Sequence, residues 1–186
     1  MNRYNDVFHE EIVIRKNQGF SNFLYPFVNV FMYIFLFFAL VGIQGLMQSV
    51  VDQSNLLSSV VFFFGFGGLA VASYFYKDTL KTDYEYSYTN GVLDIAKVRN
   101  NKKRKEMLSC NVKTDVEFFA PIMTNDFNRY QSMSEVKKMN AWLNRDIKKQ
   151  FAIIKKDNQK IMLIFEPSEK MMQTIKKHNP QKVKTQ

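Results

Sequence analysis

Lys102-Lys103-Arg104-Lys105 sets four cations in a row inside the polar cluster Arg99 to Lys105. The chemistry open to such a run is electrostatic: ammonium and guanidinium groups attract phosphates and carboxylates, and each contributes about 1 kcal/mol close to an anionic membrane leaflet. Lys77 and Lys81 add two more cations directly after a long apolar stretch. These six residues are the candidate contacts for an anionic surface or an acidic partner. Catalytic chemistry has fewer carriers. His9 and His178 are the only histidines, and they stand in different regions without the spacing of a metal-binding motif such as His-Glu-x-x-His. There is no Gly-x-Ser-x-Gly elbow, Walker loop or Rossmann glycine fingerprint. Cys110 is a single cysteine with no neighbouring base, so it reads as a reduced, inert thiol that forms no internal disulfide. The expectation is a protein without catalytic residues, cofactor or metal.

The elements that position the cations are of two kinds. No charged residue occurs from Asn17 to Val51 or from Gln53 to Tyr76, with Asp52 alone between the runs. A bilayer core takes about 20 apolar helical residues, and each run supplies them. The first span reads as Leu24 to Met47, densest from Phe31 to Leu40, and the second as Leu56 to Tyr76, with Asp52-Gln53-Ser54-Asn55 as the turn. Neither run has the polar face of a soluble amphipathic helix. The first is too long for a cleaved signal peptide, and Asp6, Glu10 and Glu11 precede it. Arg15 and Lys16 precede the first span, Lys77 and Lys81 follow the second, and the turn has no Lys or Arg, so both termini are expected in the cytoplasm of a two-span cell-membrane protein. Gly42, Gly45, Gly65, Gly67, Gly68 and Ala72 offer small surfaces for packing the hairpin on itself or on another copy.

Residues 77–186 carry 23 Lys and Arg against 13 Asp and Glu, a net +10 that exceeds the +9 of the whole chain. Asp83 to Thr89 alternates strictly, and Asn90-Gly91 separates it from Val92 to Val98. Both turn residues tolerate the positive φ of a type I′ turn, which predicts a hairpin with Tyr88 opposite Leu93 and Tyr86 opposite Ile95. A second turn at the basic cluster leads to a strand near Lys105 to Cys110, and Val112 to Ala120 forms a fourth ended by Pro121. Residues 122–133 look aperiodic and are expected as a loop, followed by a short helix over Ser134 to Asn144. Phe151 to Lys156 and Lys160 to Phe165 predict another hairpin, the second strand apolar throughout and therefore central. The last helix starts around Pro167-Ser168-Glu169, aligns Met171, Met172 and Ile175, and stops before Pro180.

Antiparallel strands closed by a C-terminal helix resemble a bacterial pleckstrin-homology-like (PH-like) domain, which implies a small barrel or sandwich capped by that helix. The chain also resembles a family of small two-span membrane proteins of Gram-positive anaerobes. The likeness is carried by Phe8-His9-Glu10-Glu11-Ile12-Val13, Tyr84-Glu85-Tyr86, Thr89-Asn90-Gly91-Val92-Leu93-Asp94-Ile95, Lys103-Arg104-Lys105, Phe119-Ala120-Pro121 and Ile164-Phe165-Glu166-Pro167. It implies architecture and assigns no activity.

The expected fold is thus a membrane α-helical hairpin plus an α+β soluble domain with an antiparallel sheet. Residues 1–22 are read as a partly amphipathic cytoplasmic tail, 23–76 as the hairpin and 77–186 as the basic domain. The expected role is a membrane-anchored module that contacts anionic lipid head groups or scaffolds a protein partner. A membrane-bound enzyme of unrecognised type and a tethered nucleic-acid-binding domain are the contrary readings. The second ranks lower because no recognisable binding module accompanies the charge.

Overall fold

The computed structural model describes residues 7–16, 19–52 and 56–184. The chain forms two compact units, one of Asn17–Thr82 and one that joins the N-terminal segment through Lys16 to everything from Asp83 onward. The turn residues Gln53 to Asn55 lie outside the described residues.

The first unit is a helical hairpin, α1 (Gly19–Asp52) and α2 (Leu56–Leu80). Both are long and apolar enough to cross a membrane, with mean hydropathy 2.2 over the most apolar 18 residues of Gly19–Val50 and 2.0 over those of Leu56–Leu80. Their close approach depends on Gly42, where a Cβ would come within 2.6 Å of the Phe63 backbone nitrogen. Gly45 packs against Ser59 in the same way, so these two small residues serve the hairpin itself, while Gly65 and Gly68 face nothing within 4 Å.

The second unit is two four-stranded sheets and two helices. Sheet A has the order β1-β2-β3-β4, from β1 (Phe8–Val13), β2 (Thr82–Thr89), β3 (Val92–Arg99) and β4 (Lys103–Asn111). Sheet B has the order β5-β7-β8-β6, from β5 (Val116–Pro121), β6 (Lys137–Ala141), β7 (Gln150–Lys156) and β8 (Gln159–Phe165). Asn90 and Gly91 take φ of 49° and 93°, and Asp157 and Asn158 take 49° and 59°, so both tight hairpins turn through left-handed residues as type I′ geometry requires. Between the sheets lie Tyr86, Tyr88, Leu93, Ile95, Leu163 and Phe165, closed by Met171 and Ile175 of the last helix, α4 (Glu169–His178). Ser168 caps that helix by accepting the Met171 N–H at 3.1 Å.

Three segments differ from the reading of the sequence. The expected N-terminal tail contains a strand: β1 pairs antiparallel with β2 from Phe8↔Thr89 to Val13↔Tyr84. The inward positions of β1 are His9, Glu11 and Val13, and Glu11 is satisfied by accepting the Ser168 N–H at 2.9 Å beside the α4 N-terminus, so the usual apolar alternation is absent. The expected loop over 122–133 holds α3 (Asn125–Ser132), whose Phe127 and Tyr130 pack on Phe151 and Phe118. That helix covers the outer face of sheet B, which is why β8 can be apolar at every position from Ile161 to Phe165. The expected helix over 134–144 is instead β6, paired parallel to β8 from Lys137↔Ile161 to Ala141↔Phe165. Pairing along a buried central strand overrides the weak helical preference of Lys137 to Ala141.

The helical hairpin is therefore inserted between the first two strands of one sheet. A fragment that begins at residue 81 lacks β1 and leaves the β2 edge unpaired. It should be less stable than one in which residues 5–16 are rejoined to residue 82 through a short Gly/Ser linker, by about 2 kcal/mol or more for the ladder bonds and apolar cover lost. Coincident thermal unfolding of the two would show that β1 contributes nothing. In the rejoined fragment, Gly91→Val sets a β-branched residue at positive φ and should cost about 1 kcal/mol or more by the same measurement.

Candidate functional site

The basic cluster forms the tip of the β3–β4 hairpin. Asn100 and Asn101 both take a φ of 52°, and the Lys102 N–H donates to the Arg99 carbonyl at 3.1 Å to close a short loop. Asparagine tolerates this left-handed backbone better than other residues bearing a Cβ. Lys102, Lys103, Arg104 and Lys105 are all exposed.

A β-bulge decides which way they point. Ile95 pairs with Leu108, but the next pair is Ala96 with Glu106, so Met107 is the extra residue on β4. Beyond it, Lys97 lies opposite Lys105, Val98 opposite Arg104, and Arg99 opposite Lys103. Paired residues share a face of the sheet. One face therefore carries Lys97, Arg99, Lys103 and Lys105, and the other carries Arg104. Arg104 is engaged: its Nε lies 2.7 Å from Glu85 Oε2. That bond is the main reason its guanidinium is held above the ordinary arginine value, with Glu106 and Asp94 adding attraction. Lys97 is half-buried, with Nζ 5.8 Å from the centre of the Tyr84 ring. Burial pulls its ammonium below the usual lysine range, and Arg99 and Lys105 lower it further.

Lys77 and Lys81 belong to the helical unit and are engaged there. Lys77 Nζ donates to Asn29 Oδ1 at 3.1 Å and lies 5.1 Å from the Tyr74 ring centre. Lys81 Nζ sits 4.1 Å over the ring of Tyr25. Both tie the end of α2 to the start of α1. The structure thus brings Lys102 to Lys105 together on one hairpin and gives Lys77 and Lys81 partners of their own. Lys97 and Arg99 escaped the sequence reading, which treated Arg99 as the start of a turn. Their signal was the odd-numbered spacing continuing Leu93 and Ile95.

Compared with known families, residues 5–185 match the description "Bacterial PH-like domain (DUF6106)". The chain belongs to this family. No curated protein and no solved structure matches it. The match spans the β1 strand, the helical hairpin and the rest of the domain, so the PH-like unit of this protein includes the segment before the first helix.

Within the PH-like unit both histidines have partners. Glu11 Oε2 lies 3.4 Å from His9 Nε2, and His178 Nδ1 lies 2.8 Å from the Thr174 carbonyl. Among the described residues no three His, Cys, Asp or Glu side chains gather where they could hold a metal ion. Cys110 is buried on β4, and burial together with Asp115 pushes its thiol up to about 12. A thiol that stays protonated is a poor nucleophile. Cys110 should therefore resist a maleimide at pH 8 in the native protein and react fully once denatured. Prompt stoichiometric labelling of the native protein would contradict the burial.

Proposed function

We propose that this PH-like protein is a membrane-anchored, non-enzymatic module. In this reading α1 and α2 cross the cell membrane as a hairpin, both termini and the PH-like unit are cytoplasmic, and the basic β3–β4 hairpin meets the anionic leaflet. The observation that carries the proposal is the exposure of large apolar side chains along both helices: Phe37 is 62% exposed, Phe64 69% and Phe75 67%. Exposed apolar surface on this scale costs heavily in water and is favourable against lipid tails. The flanking charges support the orientation, with Arg15 and Lys16 before α1, Lys77 in the last turn of α2 and Lys81 just after it, and no Lys or Arg between residues 52 and 55.

Connectivity supports the leaflet contact. The chain passes to α1 from the last residue of β1 and returns from α2 at the first residue of β2, and these are neighbouring ends of antiparallel strands. Glu85, in the first half of β2, binds Arg104 near the start of β4. The basic hairpin thus belongs to the end of sheet A through which the chain runs to and from the helices. Cations within a Debye length of an anionic surface are drawn to it, and a tether keeps a weak contact occupied.

Single cysteines at Ser54 and at Gln186, each in a Cys110→Ser background, test the topology on intact cells. An impermeant thiol reagent should label the Ser54→Cys protein and leave the Gln186→Cys protein unlabelled until the cells are lysed. The reverse pattern would place the PH-like unit outside and remove the leaflet contact with it.

A further inference from the structure

We infer that Lys97, Arg99, Lys103 and Lys105 together form a binding site for a phosphate group, carried by a lipid head group or free in solution. Only the lipid source rests on the membrane reading above. The inference comes from the register of the β3–β4 hairpin. Had the pairing Leu93↔Cys110, Asp94↔Ser109 and Ile95↔Leu108 continued, Lys97 would face Glu106, an attractive cross-strand pair. The bulge at Met107 cancels that pair and replaces it with Lys97 opposite Lys105 and Arg99 opposite Lys103.

Opposed residues have their Cβ atoms about 5 Å apart, and like charges directly opposite destabilise a sheet. This hairpin gives up a favourable pair and sets Lys97 opposite Lys105 instead, while Arg99 faces a cation in either register, Arg104 in the continued one and Lys103 here. Bulges re-aim side chains and concentrate next to functional sites. Met107 anchors this one, half-buried against the core and lining a cleft with Leu108, Met139 and Ile161. The face so made has a floor as well as a rim. Lys97 is drawn in over the buried Tyr84 ring, and its proton is held less tightly first because of burial and then because Arg99 and Lys105 stand beside it. A bound anion reverses that repulsion. Glu85 is meanwhile engaged with Arg104 rather than with this face. Three ammoniums and a guanidinium converging from two strands suit a tetrahedral group with several acceptor oxygens, and a phosphate presents its oxygens to all four.

The experiment uses the full chain in a neutral detergent, with uptake of phosphatidic acid and of phosphatidylcholine read by native mass spectrometry. Wild type should retain phosphatidic acid in preference to phosphatidylcholine. Lys97→Gln with Lys105→Gln should weaken that retention at least tenfold. Lys176→Gln with Lys177→Gln, which removes the same charge from exposed positions on α4, should change it less than twofold.

Competition by millimolar inorganic phosphate would show that the phosphate group alone suffices. Retention that inorganic phosphate leaves untouched assigns the site to the lipid head group. If the two glutamine variants lose retention equally, the attraction is diffuse: the site is overturned and the membrane-surface reading stands. If wild type takes up the two lipids alike, both fall.

Discussion

The pairing of β1 with β2 is the constraint on which the PH-like unit depends. These strands are neighbours in space, yet Val13 and Thr82 are separated in sequence by the whole helical hairpin. Three contacts hold the early strand in place. Val7 and Asn90 exchange bonds at one end, the Val7 N–H to Asn90 Oδ1 at 3.0 Å and the Asn90 N–H to the Val7 carbonyl at 2.9 Å. Glu11 binds the start of α4 in the middle. At the other end Asn144 donates to the Ile14 carbonyl and accepts the Lys16 N–H, at 3.0 and 2.7 Å.

Asn144 is itself held by Glu166, a buried carboxylate that also accepts the backbone N–H groups of Leu143 and Asn144. A buried carboxylate is tolerated only when its oxygens are supplied with donors. Glu166 therefore fixes the loop that carries Asn144, and Asn144 fixes the chain on its way to α1. Sheet A is tied to sheet B by related means. The hydroxyls of Tyr84 and Tyr86 donate to the carbonyls of Asn140 and Ala141 on β6, and that of Tyr88 accepts from Asn179 beyond α4. The alternating tyrosines of β2 thus fill the core with their rings while their hydroxyls find hydrogen-bond partners on β6 and beyond α4.

The charge of the domain acquires direction only through this framework. A run of four cations has no preferred face in an extended chain. One inserted residue, Met107, sends Lys103 and Lys105 to one side with Lys97 and Arg99, and leaves Arg104 on the other with Glu85. Local concentration of charge is a property of composition, whereas its segregation is a property of register.

The sequence by itself determined the elements whose signals are local. Two uncharged runs of sufficient length make the two long apolar helices, Asn90-Gly91 makes its hairpin, and Ser168 with Met171 and Ile175 makes the last helix. The basic turn was legible for the same reason, because adjacent cations need no partner to be seen. What tertiary structure alone decided is whatever a distant segment stabilises. β1 carries His9 and Glu11 inward because α4 receives Glu11, β6 is a strand because β8 offers it an edge, and α3 forms where sheet B needs a cover. The proposed phosphate site was half visible: Lys103 and Lys105 stand in the basic run, but the inclusion of Lys97 and Arg99 depends on a bulge whose only trace in the sequence is one methionine. Strand pairing energy is shared between segments, so neither segment read alone reports it.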